Sequence, residues 1–296
     1  MKTNILLKTL LILCSSLAVA ITGHAQNLYV SVNGDFSNSG GSISEYTPAT
    51  MQTTFVSGLA QPRGLAFDSG GNLIVGATFV PPSGGSLHGQ LLKFPLLGHR
   101  SVLGNAARAF FQGVVTDQAG NAFAVAIDQD FPSAGTIYKF APDGTRTIFG
   151  STPGQTFALA FDSAGNLFVA DALDHTIYKF TPGGRRSVFA GPGAFGPNQA
   201  PVGLAFDSAG NLFVSTEGDR GNDVILEFTP SGMESIFAGG LTQPRGLAFD
   251  AAGNLFVAET LPSPSGDILE FTTGGVETVF ASGIDRPEFL TFGPAR

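Results

Sequence analysis

The stretch Pro244-Arg-Gly-Leu-Ala-Phe-Asp-Ala-Ala-Gly-Asn-Leu-Phe-Val-Ala-Glu259 contains the pattern that decides the fold. An apolar segment leads into Asp-x-x-Gly-Asn, and a second apolar segment follows directly. An Asp side chain can cap such a turn, and Gly accepts a positive φ, so the stretch predicts two strands joined by a tight turn. Residues 201–214 repeat this pattern almost unchanged.

The same turn recurs along most of the chain. Its asparagine, which begins the second apolar segment, stands at Asn27, Asn72, Asn121, Asn166, Asn211 and Asn254. Successive copies are 45, 49, 45, 45 and 43 residues apart. A third strand follows each pair, as at 136–140, and a Pro-x-Gly type of turn then leads to a fourth strand that ends in Val-Phe or Ile-Phe. Each repeat is therefore predicted to be a four-stranded meander.

Six such meanders predict an all-β fold, a six-bladed β-propeller. A lone meander cannot bury both of its faces, whereas four strands in a period of about 45 residues match one propeller blade. The repeats begin with a second strand at 27–30 and end with a first strand at 288–292, so we expect the C-terminal strand to complete the N-terminal blade. Repeated aromatic residues should form the contacts between blades: Phe67, Phe161, Phe206 and Phe249 on first strands, and Phe140, Phe180, Phe228 and Phe271 on third strands.

The composition agrees with a turn-rich β protein and excludes one class of partner. The 296 residues include 40 Gly, 18 Pro and 27 Phe, and 13% of them are charged. This is far from the Ala-, Glu- and Lys-rich composition of long helices. The formal net charge is −8 with no basic cluster, so a nucleic acid is not an expected partner.

The first 25 residues have the features of a signal peptide. Lys2 and Lys8 precede an uncharged stretch at 9–22, and small residues stand before a cleavage point that we place after Ala25. The single cysteine lies inside the uncharged stretch, which rules out an internal disulfide. No later segment approaches the length of a membrane-spanning helix. We predict a mature domain at 26–296 that is secreted or periplasmic and has no membrane attachment.

The repeat resembles the NHL repeat. The pattern Pro-x-Gly-Leu-Ala-Phe-Asp-x-x-Gly-Asn-Leu-Phe-Val-Ala-(Asp/Glu) is matched throughout by 244–259, and the resemblance covers nearly all of 26–296. It implies a propeller that serves as a binding module, a scaffold or, in a few cases, an enzyme. The repeat is also similar to that of the senescence-marker-protein/gluconolactonase family, and this similarity implies a metal-dependent lactone hydrolase as the alternative.

Propellers bind ligands at the mouth of the central channel, so the residue that opens each first strand is a candidate contact. In ring order these residues are Arg63, Gln112, Phe157, Val202, Arg245 and Glu288. After ring closure the two arginines flank Glu288, where they could hold a carboxylate or phosphate beside apolar contacts from Phe157 and Val202. An alternative of equal weight is that the Arg-Glu-Arg cluster only fixes the closing strand.

Acidic residues that end second strands are expected to form a rim on the same face, namely Asp128, Asp171, Glu217 and Glu259. Each alone is more simply a solvated turn residue. The gluconolactonase resemblance implies a divalent metal, such as calcium, held by acidic and amide oxygens, for which Glu288 and Gln112 are the candidates. Two flanking arginines repel a divalent cation, and that family's Glu-Gly-Pro-x-Trp signature is absent. No cofactor is predicted, and a metal on Glu288 belongs to the alternative.

No catalytic residues are predicted. His88 and His175 are assigned to loops between second and third strands of non-adjacent blades, and His99 to a turn on the opposite face, so converging zinc ligands are not expected. A Gly-x-Ser-x-Gly nucleophile motif is also absent. We expect an exported, non-catalytic binding or interaction module. Its partner would be a small anionic or amphipathic ligand or another protein.

The hairpins between third and fourth strands carry charges of one sign in neighbouring blades. Counting outward from each turn pairs Lys93 with Arg100, Lys139 with Arg146, Lys179 with Arg186, Glu227 with Glu234 and Glu270 with Glu277. Like charges directly opposite each other destabilise a hairpin by about 0.2–1 kcal/mol. A ring that is basic on one side and acidic on the other raises the hypothesis of a weak homodimer about a two-fold axis. Solvated outer strands are the weightier alternative.

Overall fold

The computed structural model describes residues 26–33, 40–79, 86–95, 99–128, 134–196, 198–218, 222–260 and 265–293. The predicted signal peptide at 1–25 lies outside these residues. In chain order the strands are β1 (Leu28–Val32), β2 (Gly41–Tyr46), β3 (Gln52–Leu59), β4 (Leu65–Phe67), β5 (Leu73–Phe79), β6 (His88–Phe94), β7 (Ser101–Ala107), β8 (Ala109–Thr116), β9 (Ala122–Asp128), β10 (Gly135–Phe140), β11 (Arg146–Thr152), β12 (Thr156–Phe161), β13 (Leu167–Asp171), β14 (Thr176–Phe180), β15 (Arg186–Ala190), β16 (Ala200–Phe206), β17 (Leu212–Glu217), β18 (Asp223–Phe228), β19 (Glu234–Leu241), β20 (Pro244–Phe249), β21 (Leu255–Glu259), β22 (Gly266–Phe271), β23 (Glu277–Ile284) and β24 (Pro287–Phe292). A short 3₁₀-helix at Pro192–Ala194 follows β15.

These strands form six antiparallel four-stranded sheets arranged as a ring. Blade 1 has the order β24-β1-β2-β3, and blades 2 to 6 are β4 to β7, β8 to β11, β12 to β15, β16 to β19 and β20 to β23. The C-terminal strand β24 pairs with β1 through Leu28 and Phe292, Tyr29 and Thr291, and Val30 and Leu290. The predicted six-bladed propeller and its closure by the C-terminal strand are therefore confirmed. No helix in these described ranges is long and apolar enough to cross a membrane.

The turns between first and second strands have the chemistry that the repeat predicts. In blade 2, Asp68 Oδ1 accepts the backbone N–H groups of Gly70 and Asn72, both at 2.9 Å. Gly71 in this turn has φ +75°, a conformation that L side chains rarely adopt. The same side chain accepts the Asn72 amide, so the Asp-x-x-Gly-Asn sequence closes each turn through its own polar groups.

Aromatic rings join five pairs of neighbouring blades, and the predicted first-strand phenylalanines take part in four of these contacts. A ring on a second strand meets a ring on the first strand of the following blade in an edge-to-face arrangement, with centroids 5.0–5.2 Å apart. The pairs are Tyr29–Phe67, Phe123–Phe161, Phe168–Phe206, Phe213–Phe249 and Phe256–Phe292. Such pairs contribute about 0.5–1.5 kcal/mol beyond the area that they bury. The last pair crosses the ring closure and binds the C-terminal strand to blade 6.

Blades 2 and 3 make this contact differently. Ile74 on β5 and Thr116 on β8 occupy the places of the two rings, and Thr116 Oγ1 donates a hydrogen bond to Phe67 O at 2.6 Å. Ile74 instead packs in a cluster with Phe111 and Phe140. Apolar burial and one hydrogen bond replace an aromatic pair at this interface.

The predicted charge pairs in the outer hairpins are wrong by one residue. Lys139 lies opposite Thr147, and Arg146 lies opposite Phe140. The other lysines and the glutamates also face hydroxyl residues: Lys93 faces Ser101, Lys179 faces Ser187, Glu227 faces Ser235 and Glu270 faces Thr278.

The cause is a turn that is one residue longer than the prediction assumed. Ala141 N–H donates to Thr145 O and Gly144 N–H donates to Ala141 O, both at 2.9 Å, so the turn contains three residues with Gly144 at φ +87°. Adjacent charges then point to opposite faces of the hairpin, where Lys139 lies over Phe123 and Arg146 over Tyr138. The expected like-charge repulsion is absent, and the homodimer stays a prediction.

Small residues let the first strands approach each other around the channel. A Cβ atom on Gly203 would lie 2.0 Å from Arg245 O, and one on Gly246 would lie 2.7 Å from the Cα atom of Phe289. Ser215 Oγ bridges the same junction, since it accepts Gly203 N–H at 2.8 Å and donates to Arg245 O at 2.6 Å. The inner wall of the ring is therefore packed backbone against backbone.

Replacing this glycine tests the packing. We expect Gly203→Ala to lower the free energy of unfolding by about 2–3 kcal/mol, because its Cβ would overlap a backbone atom that cannot move alone. Gly193→Ala is the control, since no atom lies within 4 Å of a Cβ there, and should change stability by less than about 0.5 kcal/mol. Urea unfolding measures both, and equal effects would contradict the account.

Candidate functional site

The six residues that the sequence predicts at the channel mouth lie just before, or in the first half of, the first strand of each blade. Backbone contacts connect consecutive positions, because Cβ atoms on Gly64, Gly113 and Gly246 would meet the carbonyl oxygens of Gln112, Phe157 and Glu288 at 2.4–2.9 Å. Gln112, Val202 and Glu288 are buried, and Arg63, Phe157 and Arg245 are half-buried. We call these six residues the mouth ring.

Glu288 is the centre of one polar network in the mouth ring. Its Oε2 lies 3.6 Å from Arg63 Nη1, and its Oε1 accepts a hydrogen bond from Asn33 Nδ2 at 3.4 Å. Arg63 Nη1 also donates to Gln112 Oε1 at 3.0 Å. The network thus links blades 1, 2 and 3 across the ring closure.

Arg245 forms a separate network and is not paired with Glu288. Its Nη2 lies 3.1 Å from Glu217 Oε1, which also accepts a hydrogen bond from Gln243 Nε2 at 3.2 Å. The guanidinium carbon lies 5.9 Å from the centre of the Phe157 ring, two blades away. The predicted Arg-Glu-Arg cluster is therefore divided into two carboxylate–arginine pairs, Glu288 with Arg63 and Glu217 with Arg245.

Within the part of the chain that the structure describes, two buried polar atoms of these networks have no hydrogen-bond partner. They are Arg245 Nε, a donor, and Asn33 Oδ1, an acceptor. More than nine in ten buried polar groups in proteins are paired, so each exception requires an explanation. The two atoms belong to neighbouring parts of the ring, because Asn33 contacts Glu288 and the strands of Glu288 and Arg245 are in contact.

Phe289 occupies the channel just below the mouth ring. At the equivalent position the other blades carry Gly64, Gly113, Ala158, Gly203 and Gly246. The Phe289 ring packs against the apolar cluster of blades 1 and 2 and also against that of blades 4 and 5, so it reaches across the channel. Beyond it lies a cavity of about 330 Å³, lined by the later residues of the first strands and by none of the mouth ring.

Two of the four predicted rim residues are buried and hold backbone groups. Asp171 accepts N–H groups from Gly154 at 2.8 Å and Asp174 at 3.1 Å, and Glu259 accepts Thr242 N–H at 2.5 Å. Both carboxylates thereby fix the connection that leads into their own blade. Glu217 binds Arg245, and Asp128 is half-buried at the end of β9. No three of these carboxylates, all of them described, form a group that could hold a metal ion.

Sequence reasoning missed three residues of this region. Asn33 stands in Asn-Gly, a dipeptide typical of turns, which hid its contact with Glu288. Asp223 opens β18 and is fully buried, where its Oδ2 accepts Gln243 N–H at 2.9 Å. Phe289 could have been found, because it is the one large side chain at a position where the other five blades carry Gly or Ala.

Two histidines have positions that the structure defines. His88 opens β6 instead of lying in the predicted loop, because that strand begins earlier than the pattern indicates. His175 adopts a φ of +48°, and its Nδ1 atom lies within hydrogen-bond distance of Gln199 O, at 2.8 Å. This contact joins two connecting segments of the fold. Across the ranges that the structure describes, no group of three His, Cys, Asp or Glu side chains could hold a metal ion.

The fold and the mouth ring define a six-bladed β-propeller with a polar, arginine-containing channel mouth. No protein-family model matches the sequence, and no curated protein matches it. The assignment of the blades to NHL repeats therefore stays a prediction.

Solved structures share the architecture at low sequence identity. Luciferin-regenerating enzyme is 13% identical with a TM-score of 0.61, and 92% of this chain and 97% of that chain are covered. The periplasmic gluconolactonase of Pseudomonas aeruginosa is 17% identical with a TM-score of 0.57, with coverage of 92% and 99%. A streptogramin B lyase is 16% identical with a TM-score of 0.57, with coverage of 93% and 89%. These similarities show the fold.

Burial changes the acidity of the carboxylates near the mouth. It raises the pKa of Asp171, although hydrogen bonds from Asp174 and Gly154 oppose it, and it also raises the pKa of Glu259. Asp68, on the opposite face, behaves differently: hydrogen bonds from Lys93 and Asn72 outweigh burial and lower its pKa. The folded protein is therefore less stable when Asp171 and Glu259 are ionised than when they are protonated.

The raised pKa of Asp171 predicts a pH-dependent effect of Asp171→Asn. At pH values between the pKa of Asp171 in the unfolded chain, near 3.9, and its higher pKa in the folded protein, the folded state binds more protons than the unfolded state. The free energy of unfolding contributed by this carboxyl group therefore decreases as pH rises. Asparagine cannot ionise, yet its oxygen still accepts a hydrogen bond. We expect the stability of the variant relative to wild type to increase from pH 4 to pH 7 in urea unfolding.

Asp68→Asn is the control for this measurement. The pKa of Asp68 is lowered, so its contribution to stability is present above the unfolded pKa and is lost as pH falls. The relative stability of Asp68→Asn should therefore decrease as pH rises toward the unfolded pKa near 3.9 and stay level from about pH 5 to pH 7. Parallel curves for the two variants would contradict the assigned environments.

Proposed function

We propose that this protein is an exported binding protein that takes a small hydroxylated carboxylate at the mouth ring. The observation that carries the proposal is a pair of buried atoms, Arg245 Nε and Asn33 Oδ1, that have no hydrogen-bond partner among the described residues. A buried donor without an acceptor costs about 1–3 kcal/mol, so a ligand that pairs with it gains that amount. Secretion or a periplasmic location rests on the predicted signal peptide at 1–25.

The chemistry of the two atoms defines the ligand. Arg245 Nε–H donates and carries positive charge, so it fits a carboxylate oxygen, whereas Asn33 Oδ1 accepts and fits a hydroxyl group. A hydroxy acid carries both groups. Phe289 closes the channel below the ring, so the ligand would remain at the mouth and would not thread the propeller.

Calorimetric titration with gluconate tests the site. We expect saturable binding of gluconate to the wild-type protein and binding about tenfold weaker or more in Arg245→Gln, because a charge-assisted hydrogen bond contributes about 1.5–3 kcal/mol. The control is Arg146→Gln on the outer hairpin, which should bind like wild type. Absent gluconate binding, or equal affinities in both variants, would contradict the proposal.

A metal-dependent hydrolase of the gluconolactonase kind is the second candidate. One observation favours it: Asn33 Oδ1 is unpartnered beside the Glu288 carboxylate, and both are oxygen ligands of the kind that calcium takes. The residues present do not fit the metal, however, because Arg63 Nη1 lies 3.6 Å from Glu288 Oε2 and no third acidic or histidine ligand from the described residues converges there.

Thermal unfolding separates the two candidates. In the presence of a chelator and then of calcium, magnesium, manganese or zinc, we expect an unchanged Tm. A resident metal at about 100 times its Kd would add about 2.7 kcal/mol, which is several degrees in a domain of this size. A shift of that size would contradict the binding-protein proposal and favour lactone hydrolysis.

A further inference from the structure

A second cavity lies on the face opposite the mouth ring, between blades 3 and 4. Its volume is about 460 Å³, and its walls include the turn of blade 3 at 117–119 and the turn of blade 4 at 162–165. The rings of Phe123, Phe149 and Phe161 form an apolar side, with Phe123 edge-to-face with both others at 5.1 and 5.2 Å. We call it the turn pocket.

The turn pocket contains a lysine and an aspartate that form no ion pair among the described residues, and we call them the open pair. The equivalent residues of blades 2 and 4 do form ion pairs. In blade 2, Lys93 Nζ lies 2.9 Å from Asp68 Oδ2, and in blade 4 the equivalent Lys179 lies 3.6 Å from Asp162. The equivalent residues of blade 3 are Lys139 and Asp117, both of which line the pocket. Among the described residues neither has an ion-pair partner within 4.0 Å.

Each member of the open pair is available for a ligand. The ammonium group of Lys139 lies over the Phe123 ring, 5.4 Å from its centre. Among the described groups, the Asp117 carboxylate accepts hydrogen bonds from the backbone and side-chain N–H groups of Asn121, at 2.8 and 2.7 Å. Each oxygen can accept a further hydrogen bond. A cation, an anion and an aromatic surface thus line one cavity.

We propose that the turn pocket binds a small zwitterion with an apolar side chain, of the amino-acid type. The ligand's carboxylate would pair with Lys139, its ammonium group with Asp117, and its side chain would lie against the phenylalanine rings. A simple anion would leave Asp117 unpaired, and a simple cation would leave Lys139 unpaired. The other carboxylate in the pocket, Asp162, is already paired with Lys179 and Asn166.

Titration with L-phenylalanine, followed by ligand-detected NMR and calorimetry, tests this inference. We expect saturable binding, and affinities at least about fivefold lower for 3-phenylpropionate, which lacks the ammonium group, and for 2-phenylethylamine, which lacks the carboxylate. Lys139→Met should weaken L-phenylalanine binding about tenfold or more, because it removes a charge-assisted hydrogen bond. Lys93→Met, which removes the equivalent lysine of blade 2 outside the pocket, should bind like wild type.

Three results would overturn the inference: no saturable binding of L-phenylalanine, equal binding of 3-phenylpropionate, or equal losses in Lys139→Met and Lys93→Met. The second result would identify a site for simple anions. Arg245→Gln separates this pocket from the mouth ring, because it should leave L-phenylalanine binding unchanged while it weakens gluconate binding. Failure of one site therefore leaves the test of the other intact.

Discussion

The structure depends on the burial of one sheet face by the next. A four-stranded meander has two apolar faces and no second layer of its own, so each blade is stable only between two neighbours. The edge-to-face aromatic pairs supply most of these junctions, and Ile74 with Thr116 supplies the one that lacks them. Because the junctions repeat, the residues near the start of the first strands form a ring whatever their chemical type.

This separation of packing positions from variable positions explains where the polar and charged groups lie. The glycines and alanine of the inner wall are held by backbone contacts, while the preceding positions can carry arginine, glutamate or an aromatic residue without disturbing the packing. Around the mouth, two carboxylate–arginine pairs and several carboxylate-to-backbone contacts hold the polar groups in place. On the opposite face the same turn-and-hairpin unit carries a closed ion pair in blades 2 and 4 and an open one in blade 3.

The repeat alone predicted the fold, the blade boundaries and the closing strand, because these follow from local turn chemistry and from apolar periodicity. It also aligned the six residues that we call the mouth ring, and their role in binding stays a prediction. The partners within the ring could not be predicted: whether Arg245 pairs with Glu288 or Glu217 depends on side-chain reach across blades. The hairpin register failed for a local reason, because the glycine that ends the three-residue turn shifts every outer pair by one position.

The pairing of β24 with β1 also has a topological consequence. Gly293 N–H donates to Asn27 O at 2.8 Å, so the two ends of the repeat region meet within one sheet. In an open solenoid the end repeats have one neighbour and unravel first, whereas here every blade has two. The order of the blades is therefore cyclic, and circular permutants that join these ends and open the chain at another blade junction would preserve every contact between blades.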